Sequence, residues 1–110
     1  MQQWTLGTVE DIDGTSLVGY VDVTLAQLEE AFGPSTFVGD EWKVDREWSI
    51  IWPDGERATI YNYKDGEAYT GGRYRVADVT CWHIGGTSTA VIERVGKLLG
   101  RPARNWLDEL

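Results

Sequence analysis

The chain has 110 residues, of which 42% are hydrophobic and 12% aromatic, enough to bury one core in one domain and too apolar for a disordered chain. Its net charge of −8 argues against direct binding of free DNA or RNA, and no apolar run approaches the about 20 residues of a membrane-spanning helix. A single cysteine makes no internal disulfide, and the start MQQWTLGTVEDIDG has neither the basic end nor the apolar run of a signal peptide, so a cytoplasmic setting is the expectation.

Ser16 to Val23, SLVGYVDV, alternates apolar and polar residues and reads as a strand. Thr24 then caps a helix in a capping box with Gln27, Leu25, Leu28 and Phe32 share its inner face, and Gly33-Pro34 end it. Glu47 to Trp52 and Arg57 to Lys64 flank Pro53-Asp54-Gly55-Glu56, a turn sequence that makes the pair a β-hairpin. Period-2 alternation places Trp48, Ile50 and Trp52 on one face and Glu47, Ser49 and Ile51 on the other. Tyr69 to Asp78 reads as a glycine-containing loop facing a partner, Val79 to Ile84 as a strand, and Thr89 to Leu99 as a second helix capped by Thr87 or Ser88. Pro102 starts a last short helix or a tail carrying Trp106, Leu107 and Leu110. The order predicts an α+β fold over 1–110: a mainly antiparallel sheet of about four strands with two helices packed on one face.

Charge is distributed unevenly. Residues 1–42 contain Glu10, Asp11, Asp13, Asp22, Glu29, Glu30, Asp40 and Glu41 and no lysine or arginine, and the remainder of the chain is neutral. Such a third attracts basic partners, and an acidic mimic of DNA is one form this takes; a solvated face that keeps the protein dispersed explains the same acids.

The stretches GTSLVGYVDV, LEEAFGPSTF, EWSIIWPDGERATIYNYK and WHIGG, in this order, resemble a group of small bacteriophage-encoded proteins of unassigned function. The likeness spans about Gly14 to Leu99, with Trp52 where that group has phenylalanine. It implies a non-structural phage product in the cytoplasm of a bacterial host, of the kind phages use for counter-defence or host takeover. It carries over no site residues.

Possible chemistry is sparse. One histidine and one cysteine do not make a zinc set, and EDIDG at 10–14 lacks the spacing and closing glutamate of a calcium loop, so neither metal nor cofactor is expected. Cys81 and His83 share one side of a strand, but catalysis also needs an orienting group and an oxyanion donor, so the expectation is no enzyme, with Cys81 a small buried hydrophobe and His83 at the sheet end. His83, Gly85, Gly86, Thr87 and Ser88 form a turn into a helix N-terminus, the candidate site for an anion such as a nucleotide or a phosphorylated signal. Trp52, Tyr61, Tyr63, Tyr69, Arg73, Tyr74 and Arg75 have the composition of an interface core, because two short helices cannot cover both faces of a sheet. They are the candidate contacts with a host protein, or with a second copy in a homodimer.

Overall fold

A computed structural model describes residues 4–7, 15–35, 37–38, 46–62 and 79–105. The described strands are β1 (Thr5–Leu6), β2 (Ser16–Asp22), β3 (Phe37–Val38), β4 (Arg46–Ile51), β5 (Arg57–Tyr61), β6 (Cys81–Gly86) and β7 (Ala103–Asn105). The described helices are α1 (Leu25–Phe32) and α2 (Ala90–Leu99). The strands form one antiparallel sheet in the order β1-β4-β5-β6-β2-β7, with β3 also pairing with β4. The fold is α+β. The four expected strands make its centre, and the short β1, β3 and β7 extend it.

The capping box forms as its residue types require: Gln27 N donates to Thr24 Oγ1 at 3.2 Å and Thr24 N to Gln27 Oε1 at 3.0 Å. Gly33, at φ 80°, ends α1 and donates its N–H to Glu29 O. In the hairpin, Gly55 takes φ 93° and donates to Trp52 O at 3.0 Å. The Pro102 segment differs from expectation: Ala103–Asn105 is a strand paired with Gly19 to Val21, not a helix. Gly100 in the left-handed region at φ 66° ends α2 and turns the chain back to the sheet edge, which leaves no room for a new helical turn before the pairing begins. The strand expected over Val79 to Ile84 forms later in the chain, as Cys81–Gly86, because Gly85 and Gly86 continue the ladder opposite Thr59 and Ala58.

Alternation sorts the sheet into two faces. Val21, Trp48, Ile50, Ile60, Trp82 and Ile84 are fully buried together with Leu28 of α1 and Val91 and Val95 of α2, so both described helices cover one face. Trp48 packs edge-on against Trp82 at 5.7 Å, and its indole N–H donates to Gly33 O, tying the helix end to the sheet. Two glycines allow close approach: a Cβ on Gly86 would collide with Val91, and one on Gly19 with the Arg104 carbonyl. A register shift between Leu17 and Gly19 places Val18 in a bulge and turns Tyr20 and Asp22 to the other face.

Candidate binding face

The face turned away from the two described helices carries a cross-strand row. Register places Glu47 opposite Tyr61, Tyr61 opposite His83, His83 opposite Tyr20 and Tyr20 opposite Arg104, so five adjacent strands each contribute one side chain. Directly opposed side chains in antiparallel strands lie close enough for rings to touch. His83 stacks on Tyr61 at 5.4 Å with 19° between planes and meets Tyr20 edge-on at 5.2 Å. The Arg104 guanidinium lies 5.9 Å from the centre of the Tyr20 ring, so it sits over an electron-rich face. Its Nη2 donates to Asp22 Oδ1 at 2.9 Å and to Cys81 Sγ at 3.5 Å, joining the neighbouring register pair Asp22 and Cys81 to the end of the row.

The row is graded in burial. At the β4 end Glu47, Ser49 and Thr59 are buried, and the Thr59 hydroxyl donates to Glu47 Oε2. Burial pushes the Glu47 carboxyl above its ordinary range, and the Thr59 hydrogen bond offsets part of that rise. At the β2 and β7 end Tyr20, Cys81 and His83 are half-buried, while the side chains of Arg104 and Asp22 are 39% and 60% exposed. The surface therefore runs from a dry carboxylate to a wet ion pair, with two phenol rings and an imidazole between.

This arrangement corrects the expected place of Cys81. It is half-exposed on the face opposite the core, because its register partner Asp22 faces solvent, and it is not a buried hydrophobe. His83 is the third residue of β6 and lies mid-row, not at the sheet end. Trp52 lies with the core at 3% exposure, as the alternation of Trp48, Ile50 and Trp52 requires, and Arg94 of α2 sits 5.3 Å over its ring; it offers no surface to a partner. Tyr61 does reach the open face. Tyr63, Tyr69, Arg73, Tyr74 and Arg75 lie outside the described residues, as does EDIDG.

The WHIGGTS segment is built differently from the expected anion turn. Gly85 and Gly86 are ladder residues, buried and without a turn. Thr87 Oγ1 donates to Glu56 Oε2 at 2.6 Å and accepts from Arg57 N at 3.1 Å, and Ser88 Oγ donates to the same Glu56 oxygen at 2.9 Å. The negative group at the start of α2 is thus the protein's own carboxylate, delivered by the hairpin. These hydroxyls hold Glu56 below the usual carboxylate range. Next to it Arg94 donates to both oxygens of Asp54, at 3.1 and 2.6 Å, and that contact holds the Asp54 carboxyl down at about 2. His83, on the other face, takes no part.

None of the protein-family models, curated proteins or solved structures compared with the chain matches it. Among the described residues no group of three or more His, Cys, Asp or Glu is placed to hold a metal, and no helix is long and apolar enough to cross a membrane. Sequence reasoning missed Tyr20, Glu47 and Arg104 as members of one row. Tyr20 and Glu47 carried a usable signal, since each stands among alternating strand residues opposite an apolar set; Arg104 carried none, because it lies just after a proline in a stretch without strand alternation.

Proposed function

We propose that this is a non-enzymatic binding protein, a small bacteriophage product that docks onto a host protein in the bacterial cytoplasm in counter-defence or host takeover. The observation that carries the reading is the row of Tyr61, His83, Tyr20 and Arg104 on the face turned away from the two described helices. Tyrosine and arginine are the residue types that anchor protein interfaces, because each offers a large contact area together with a polar end that needs a partner. A sheet makes such a platform rigid, so little ordering entropy is lost on docking. The likeness to small phage proteins supplies the host context.

A photo-crosslinking residue at position 20 tests the reading in bacterial cells, with the same residue at Glu93 on the outer side of α2 as control. Covalent capture of one host protein from position 20 and none from position 93 is expected. Equal capture from both positions, or capture only of a second copy of this chain, overturns the host-docking assignment.

A further inference from the structure

The open face also points to the chemistry of its partner. We propose that Asp22 and the Tyr20 ring form the docking point for an arginine or lysine side chain of a basic partner protein, an inference that rests on the sheet face being the binding surface. Asp22 gives one carboxylate oxygen to Arg104 at 2.9 Å, yet its side chain remains 60% exposed. A carboxylate accepts about four hydrogen bonds, so a second guanidinium or ammonium group fits on Asp22 without displacing the first. Tyr20 already has a guanidinium at 5.9 Å, which shows that the ring and its surroundings suit a cation, and a cation bound between a carboxylate and an aromatic ring gains from both.

The field of the chain points the same way. Tyr20 and Asp22 belong to residues 1–42, which hold eight acids and no lysine or arginine and so supply the whole net charge of −8. That field accelerates the encounter with a basic surface and repels an acidic one. Arg104 and Asp22 balance each other's charge, so the preference for a basic partner comes from the remaining acids of the chain. The pair Asp22 and Arg104 fixes the carboxylate in place beside the ring, so a partner's cation finds the acceptor already oriented.

The test uses a fluorescein-labelled oligoarginine peptide, with oligoglutamate as control, titrated into the full chain and followed by anisotropy. Asp22→Asn and Tyr20→Leu should each weaken oligoarginine binding about fivefold at low salt, whereas Glu29→Gln with Glu30→Gln, two exposed acids on α1, should change it less than about twofold. Thermal melts of each variant establish that the fold is kept. If the helix variants weaken binding as much as Asp22→Asn, or if no variant matters, binding follows only the diffuse charge and the docking point is wrong. Crosslinking from position 20 to a host protein would survive that result, so failure of this inference and failure of the binding face are told apart.

Discussion

The two faces of the sheet are made by alternate residues of the same strands, and they obey different rules. On the helix side Trp48, Ile50, Ile60, Trp82 and Ile84 are fully buried, and close packing there explains each residue by itself. On the other side Tyr61, His83, Tyr20 and Arg104 contact one another across strands and are only half-buried. One face is what folding needs. The other joins buried Glu47, Ser49 and Thr59 to a half-buried row of rings, and the proposed binding role rests on that row.

The comparison is sharpened most by cutting into the core face. Trp82→Ala should cost roughly 3–5 kcal/mol, measured by urea denaturation, because its neighbours Trp48 and Ile84 cannot collapse into the space. Tyr20→Ala should cost about 1 kcal/mol in the same experiment, since it removes cross-strand ring contact and no core volume. Similar losses for the two would erase the distinction between the faces. Gly86→Ala comes between them: its new Cβ meets Val91 and pushes α2 off the sheet, a loss of roughly 1–3 kcal/mol that Gly55→Ala, in open space but strained at φ 93°, should not exceed.

Glu47 gives a smaller effect with a pH signature. Its folded pKa is raised, so the fold binds its proton more tightly than the unfolded chain does; the contribution is present below the ordinary value of 4.5 and is lost as pH rises through the folded pKa. Glu47→Gln should therefore raise the thermal midpoint at pH 7 by about 2–4 °C and leave it unchanged near pH 4, as the amide oxygen that replaces the carboxylate still accepts from Thr59. A shift of equal size at both values would mean that ionisation is not involved. The smallest effect belongs to the hairpin clamp. Asp54 has a lowered pKa, so its contribution is present above its ordinary 3.8 and fades as pH falls toward about 2. Melts of Asp54→Asn should lie slightly below the wild type at pH 6 and converge with it at pH 2.

Much of this was legible in the sequence wherever one short-range rule decides. The Thr24 and Gln27 capping box, the Pro-Asp-Gly hairpin and the face shared by Trp48, Ile50 and Trp52 depend on residues within a few positions of each other, and each stands as its residue types require. The site was less legible because its contacts join distant parts of the chain. Glu56 reaches Thr87 and Ser88 only once β5 and β6 are paired, so a glycine pair followed by hydroxyls read as an empty anion turn when the hairpin already fills it. Arg104 reaches Asp22 across 82 positions, through an edge strand too short to show alternation. Strand parity puts Cys81 on the side of His83 without saying which side faces the core, and its register against Asp22 decides its exposure.

Capture from bacterial lysate at physiological salt tests the central claim most directly, using the wild-type chain and the Tyr20→Ala, Tyr61→Ala double variant side by side, with bound proteins quantified by isotope ratio. The open-face reading predicts a host protein retained by the wild type and lost by the variant, whose melting transition remains cooperative. The same proteins retained in equal amounts by both chains would contradict it.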